Sequence, residues 1–372
     1  MPTPFASRFR TWMLRTLIAA LFALTAAQIA SAQTTQLDSI ARAFKAEANP
    51  PGLVVGTATG DTTQIRRYGV ASLADSTRLQ SGTRFEIGSI TKVFVSLLLA
   101  DAVQRDAVTL DDPIGRFLPD SIETPVADGH AIQLRHLATH TSGLPRLPFN
   151  LHPSDPANPY ADYTPAELHA FLDAVELSAA PGSTYAYSNV GGGLLGHLLA
   201  RSADTSFAAL LDRRIFTPLG LQNTTVPSPG DTASARLATG HTASGAPASY
   251  WTFDVLAGAG ALRSTARDVL RFLQANLHPE DAPLSAATQT THEVRHERSA
   301  QSSVALGWNV ATASDGSRLY WHNGGTGGFR SFAAFSPASD TALLVLVNQA
   351  LSLRSFNRFA FRLMRAVHQS GA

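Results

Sequence analysis

The 372-residue chain contains no cysteine, and of its 29 basic side chains only two are lysines. Without cysteine the fold must stand without disulfides, and no thiol is present to carry a lipoprotein anchor. The lysine scarcity is more selective. Lys45 and Lys92 stand alone against 27 arginines. An arginine keeps its proton in a protein, whereas a lysine can lose its proton when desolvated. Lys45 lies in the mixed pattern LDSIARAFKAEA and reads as a solvated surface charge. Lys92 lies in FEIGSITKVFVSLLLADAVQ, a buried helical pattern, among Val93, Phe94, Leu97 and Leu98. A single lysine in so apolar a segment is marked for proton chemistry.

A long apolar span is also missing. Arg8, Arg10 and Arg15 precede an apolar run from Thr16 to Ala30 that ends in Ala30-Ser31-Ala32. This is the layout of a secretory signal, and the run is shorter than the roughly 20 residues that a bilayer span needs. Residues 1–32 are therefore expected to be removed, leaving no stable membrane anchor. Export without cysteine points to a bacterial periplasm or the medium. The mature chain would carry 26 basic and 28 acidic side chains. That balance excludes the basic excess of a nucleic-acid binder. A mature chain of this length can bury a large core and is expected to form two lobes.

Strand patterns stand at both ends. GLVVGTATG and TTQIRRYGVASL, joined by a Gly-Asp turn, read as a hairpin. RLYWHNGG, FRSFAAFSP and TALLVLVNQA read as consecutive antiparallel strands, and LRSFNRFAFRLMRAVHQ as a closing amphipathic helix. Between them, residues from about 110 to 250 are helix and loop, with punctuation such as LDDPIGRFLPD and HTSGLPRLP. GAGALRSTARDVLRFLQANL reads as a helix with Ser264 or Thr265 as N-cap. The expected fold is α+β: an antiparallel sheet flanked by N- and C-terminal helices, with an inserted, mostly helical lobe. The α/β lobe is expected at about 33–90 and 250–372, and the helical lobe at about 91–249.

Three motifs carry chemistry. Ser89 and Lys92, at i and i+3, share one helix face one turn apart. A serine at the helix start meets free N–H groups, and a desolvated lysine can take its proton. Taken alone, the pair reads better as an N-cap beside a lysine that snorkels to solvent. In TYAYSNVGGG, Tyr187 could relay a proton and Asn189 could hold a substrate carbonyl. Alone, this is a polar turn before a glycine-rich helix. In YWHNGGTGGF, Gly324 and Gly325 would let a substrate lie flat on the strand carrying His322, with a backbone N–H facing its oxyanion. Alone, this is a glycine-rich hairpin.

Together, in this order, the three motifs resemble those of the penicillin-recognising serine hydrolases. The chain resembles the class C β-lactamase and D-alanyl-D-alanine carboxypeptidase family, including its esterase branch. GSITKVF, LDDPIGRFLP, LRHLATHTSGLP, YAYSNVGGGLLG, GAGALRSTARDVLRF, GWNV and HNGGTGGF stand in family order over nearly all of the mature chain. The resemblance implies a β-lactamase/transpeptidase-like fold and a small-molecule or peptide substrate: a β-lactam, a D-Ala-type peptide or an ester. It implies no cofactor and no metal, and a monomer is expected. Ser89 would be the acylated nucleophile, Lys92 its base and Tyr187 the proton shuttle. Asn189 would bind substrate, His322 would help hold it electrostatically, and the N–H groups of Ser89 and Gly325 would form the oxyanion hole. One departure is His322-Asn323-Gly324, where β-lactamases of this class usually show Lys-Thr-Gly. It weighs against efficient β-lactam turnover and leaves the acyl-enzyme chemistry intact. An unperturbed histidine titrates near pH ~6.5. Substrate carboxylates should then be held better as pH falls, unless Arg330 does that work. The rival reading is a penicillin-binding sensor that acylates without turnover; intact Ser89, Lys92, Tyr187 and Asn189 argue against it.

Three other patterns compete. HEVRH at 292–296 matches a zinc-protease pattern but lacks an apolar helix face, and no glutamate follows Glu297. Gly191, Gly193 and Gly196 match a dinucleotide fingerprint, yet polar PGSTYAYSN precedes them where a strand is needed. His136 and His140 have metal-pair spacing beside a Ser-Gly-Leu-Pro turn, where a structural role is the better reading.

Overall fold

The apolar run Thr341–Val347 becomes a strand with every residue buried. Its alternate residues serve two cores: Leu343, Val345 and Val347 face one, Ala342, Leu344 and Leu346 the other. Continuous hydrophobicity here reflects a sheet covered on both faces. The computed structural model describes residues 35–228 and 236–368. The expected signal, residues 1–32, lies outside the described residues.

The strands are β1 (Gly52–Thr59), β2 (Thr62–Gly69), β3 (Arg84–Glu86), β4 (Val126–Ala127), β5 (His130–Ala131) and β6 (Arg263–Thr265), followed by β7 (His296–Ser299), β8 (Ser302–Val304), β9 (Asn309–Thr312), β10 (Arg318–Gly325), β11 (Arg330–Ser336) and β12 (Thr341–Val347). Eight of them form one sheet in the order β2-β1-β12-β11-β10-β9-β8-β7, antiparallel throughout. β1 lies beside β12, so the two ends of the chain build the sheet jointly, as the sequence pattern predicts.

The helices are α1 (35–48), α2 (Thr91–Gln104), α3 (Leu134–Ala138), α4 (Pro165–Ala174) and α5 (Asn189–Ser202). α6 (Phe207–Leu211) runs through a π-helical turn into α7 (Thr217–Leu219); α8 (Ala266–Leu277), α9 (Ser285–His292) and α10 (Leu353–His368) follow. α1 and α10 cover one sheet face through Leu37, Phe44, Phe356 and Leu363, with Phe44 and Phe359 stacked at 3.8 Å. α8 packs on the other face, where Gly56 of β1 admits Leu270: a Cβ there would come within 2.8 Å of its Cδ1. α2, α3, α5 and the segments around them form the helical body in front of that face.

α2 is buried on almost every side, including Asp101. That carboxylate is held by Arg214 through bonds of 2.9 and 2.8 Å and by Arg105 at 3.1 Å. A buried charge persists only with such partners. The helix expected within GAGALRSTARDVLRFLQANL starts behind one of its two expected N-caps. It begins at Ala266, with the Thr265 side chain as N-cap accepting from the Asp268 N–H. Ala257–Ala259 form a tight turn, and Arg263–Thr265 pair with β3 instead. Gly258 is pressed against α5, where a Cβ would meet the Gly192 carbonyl at 2.6 Å.

Candidate active site

Ser89 does not open α2. It sits in the tight turn Gly88–Ile90, and α2 begins two residues later at Thr91. The turn is held by the end of β10. Gly88 has φ +50, and a Cβ on it would lie 2.6 Å from the Gly325 nitrogen. At Gly324 a Cβ would meet the Ile87 carbonyl at 2.1 Å and the Ser89 nitrogen at 3.0 Å. The sequence reading gives these glycines to the substrate. The structure gives Gly324 first to the nucleophile turn, whose own backbone fills the space a side chain would need.

At the second position of α2, Lys92 is 3 % exposed. Its Nζ lies 2.6 Å from the Ala259 carbonyl, 3.0 Å from Asn189 Oδ1 and 3.2 Å from Ser89 Oγ. Burial drives its pKa well below the ordinary value, and the Arg146 charge lowers it further. The first two partners are carbonyl-type oxygens that only accept. In its neutral form the amine has two N–H donors and one lone pair, and those oxygens then take both donors. The lone pair is left for the one partner that can donate, the Ser89 hydroxyl. Room for the lysine comes from α5: a Cβ on Gly192 would stand 2.7 Å from Lys92 Cε.

Tyr187 lies with its ring 5.1 Å from Lys92 Nζ and 5.1 Å from the Arg146 guanidinium. Burial raises its pKa, against the lowering effect of the adjacent Ser89 and Arg146. Its hydroxyl is therefore a proton carrier in the neutral form. His140 packs on Tyr187 with ring centroids 4.3 Å apart, and its Nδ1 accepts the Ser188 N–H at 3.2 Å. Burial above all, followed by the charge that Lys92 carries when protonated, holds His140 well below the usual histidine range.

Asn189 is the first residue of α5, behind the N-cap Ser188, whose hydroxyl accepts from Gly191 N–H and donates to the Pro145 carbonyl. The Asn189 Oδ1 accepts from Lys92, and its Nδ2 donates to the Tyr160 hydroxyl at 3.0 Å. An amide NH2 has two donors, so one N–H remains for a substrate.

His322 is 1 % exposed. Its Nδ1 faces the Asn323 carbonyl at 2.7 Å, so Nδ1 carries the proton. Nε2 is then a buried lone pair with no hydrogen-bond partner among the described residues. Burial above all, then the charge that Lys92 carries when protonated, push its pKa down to about 3. The expected titration near neutrality is thus displaced, and the ring is uncharged in ordinary buffers. The alternate cation, Arg330, is bound to the carbonyls of Leu351, Phe329 and Thr326 at 2.7, 2.8 and 3.0 Å. Asn323 turns its amide to Asn357 of α10 at 3.1 Å, so the departure from Lys-Thr-Gly places no amide at Ser89.

Ser89, Lys92, Tyr187 and Asn189 are therefore gathered at one point, with His322 behind Tyr187 at 6.2 Å between ring centroids. Sequence reasoning missed Tyr160, Arg146 and the Ala259 carbonyl, and gave His140 a structural role without placing it against Tyr187. Tyr160 stacks on Phe253 at 4.8 Å, and Asn158 ties its loop to Thr252 through two bonds of 2.9 and 2.8 Å. No periodicity marks that loop; only its aromatic residues hint at a packed role. The competing patterns disperse. His292 ends α9 against Asn276 at 3.0 Å, while His296 belongs to β7. His136 caps α3, accepting the Gln133 N–H at 3.1 Å. Gly191, Gly193 and Gly196 lie inside α5, packed on Ser188, Leu256 and Gly258.

Comparisons with known proteins converge on the same family. A family profile described as Beta-lactamase matches residues 37–366. A D-alanyl-D-alanine-carboxypeptidase/endopeptidase, AmpH, of Escherichia coli K12 is 28% identical over 316 residues, 80% of each chain. A β-lactamase of Pseudomonas fluorescens is 26% identical over 345 residues, 84% of this chain and 92% of that protein. A solved class C β-lactamase superposes with a TM-score of 0.78 at 22% identity, covering 90% of this chain and 96% of that one. The chain belongs to the Beta-lactamase family and is a serine hydrolase of that family.

Proposed function

We propose that the protein is an exported hydrolase that cleaves an ester or amide bond through an acyl-enzyme on Ser89. The observation that carries this reading is the buried Lys92 Nζ, held by the Ala259 carbonyl and Asn189 Oδ1 and 3.2 Å from Ser89 Oγ, with a lowered pKa that frees a lone pair for the serine proton. In the acylation step the Ser89 Oγ–H proton passes to Lys92 Nζ as Oγ bonds to the substrate carbonyl carbon. The Ser89 and Gly325 N–H groups receive the developing oxyanion. Tyr187 hands its proton to the leaving group as the scissile bond breaks, and is reprotonated from the Lys92 ammonium. Water then attacks the acyl carbon by the reverse proton path and frees Ser89.

The substrate set is that of the relatives, D-Ala-type peptides and β-lactams, together with simple esters. Within that set the neutral His322 favours leaving groups that need no cation on β10, hence uncharged esters over β-lactams and D-Ala-D-Ala peptides, which both carry a carboxylate on the leaving side. The Arg-flanked apolar segment before Ala32 supports export to a periplasm or the medium. We read the enzyme as a monomer. The test is mass spectrometry with a 4-nitrophenyl ester, a D-Ala-D-Ala peptide and a penicillin. A transient acyl adduct on Ser89 with turnover, lost in Ser89→Ala, supports the hydrolase. A permanent adduct with every compound would make the protein a sensor.

A further inference from the structure

We propose that Arg146 is a specificity residue that binds an anionic group on the acyl portion of the substrate. This rests on the hydrolase reading and adds the substrate's charge to it. Arg146 follows the Ser142–Pro145 turn and is exposed. Its backbone carbonyl accepts the Asn189 N–H at 2.9 Å, which fixes the residue beside the amide that faces the acyl chain. Its guanidinium lies over the Tyr187 ring, 5.1 Å from the centroid, on the ring that Lys92 also contacts.

Among the described residues this guanidinium forms no ion pair. An arginine spread on an aromatic face keeps its outward N–H edge open, the edge that grips a carboxylate in a two-point bond. The other cations near the nucleophile are spoken for. Lys92 Nζ is buried and enclosed by Ala259, Asn189 and Ser89, Arg330 is tied to three carbonyls, and His322 is neutral. Arg298, over Tyr185, is turned to the Ser303 carbonyl at 3.5 Å. The positive field at the site mouth therefore comes from the acyl side, next to Asn189. A substrate with a carboxylate at the far end of its acyl chain would meet it. One with a carboxylate only on the leaving group would not.

The experiment compares two esters with the same leaving group and the same chain: 4-nitrophenyl hydrogen adipate, anionic, and its neutral methyl ester. The readout is the ratio of their kcat/KM values. In wild type the ratio should favour the anion and fall as salt is added. Arg146→Gln should lower it by about tenfold to a hundredfold, the range of a charge-assisted hydrogen bond. Arg146→Lys should restore part of the preference. A ratio unchanged in Arg146→Gln overturns the assignment, including the case where both rates fall together because Arg146 only tunes Lys92 and Tyr187. If wild type consumed neither ester and no adduct formed on Ser89, the hydrolase reading would fail first and take this assignment with it. Turnover of both esters with an insensitive ratio removes Arg146 alone.

Discussion

At the scale of single residues, the site turns on which groups can still change their protonation. Lys92 can, because burial has already lowered its affinity for a proton; arginine in its place cannot. Lys92→Arg should therefore lose about a thousandfold in kcat/KM, within the span of general base catalysis, while circular dichroism stays native. Retention of more than about a tenth of the wild-type rate by a folded Lys92→Arg would end the base assignment. Tyr187 enters as a neutral acid, so Tyr187→Phe should depress kcat far more than it raises KM, and an unchanged kcat would remove it. His322 reverses what an isolated histidine suggests. With its pKa near 3 it stays neutral from about pH 5 to about pH 8, so it gives no acid-side gain on substrates with an anionic leaving group. A ratio of anionic to neutral leaving-group substrates that climbed toward pH 5, and lost that climb in His322→Gln, would show a charged ring after all.

At the scale of elements, helix α5 sets propensity against packing. Gly192 lies inside the helix, where alanine would ordinarily stabilise by about 1 kcal/mol. A Cβ there would stand 2.7 Å from Lys92 Cε and 3.1 Å from Cδ and Cγ. The methyl can be accepted only if the lysine stem moves, breaking its alignment with Ser89, Asn189 and Ala259. Gly192→Ala should thus cost activity by tenfold or more, about the effect of a small misplacement of reacting groups, with the Tm little changed. Full activity would mean that the stem has slack. The same contrast explains what was legible in the sequence. β1, β2, β10, β11, β12 and α10 follow from period and turn chemistry, which are local. Ser264-Thr265 was readable as a cap, but Arg263–Thr265 form a strand because β3 offers a partner, a tertiary fact. Tyr160 and Ala259 join the site through contacts spanning 29 and 167 positions in sequence, beyond any local pattern. The direction of Asn323 was hidden for a related reason: within a strand, neighbouring side chains point to opposite faces, and its face belongs to α10.

At the scale of the whole molecule, one buried carboxylate ties the strand before the nucleophile turn to Trp251 and to Arg263 of β6. Glu86 on β3 is 3 % exposed; its Oε1 accepts the Trp251 N–H at 2.8 Å and lies 3.5 Å from Arg263 Nη2. Oε2 has no hydrogen-bond partner among the described residues. Burial raises its pKa from 4.5 to about 7, overcoming the opposing pull of Thr326 and Arg263. The raised value means that the folded chain holds this proton more tightly than the unfolded chain. Its stabilisation is therefore complete below about pH 4.5, declines as pH rises, and is lost once pH passes about 7. At most the loss is ~3 kcal/mol, since each pKa unit is worth about 1.4 kcal/mol. Glu86→Gln keeps an oxygen for the Trp251 N–H and cannot ionise. Denaturant midpoints should then show wild type and variant closest near about pH 5, with the wild type falling behind until the gap levels off above about pH 8. Parallel curves across that range would mean that Arg263, already within 3.5 Å, keeps Glu86 ionised throughout, and the pair would be a buried salt bridge rather than a protonated acid beside a cation.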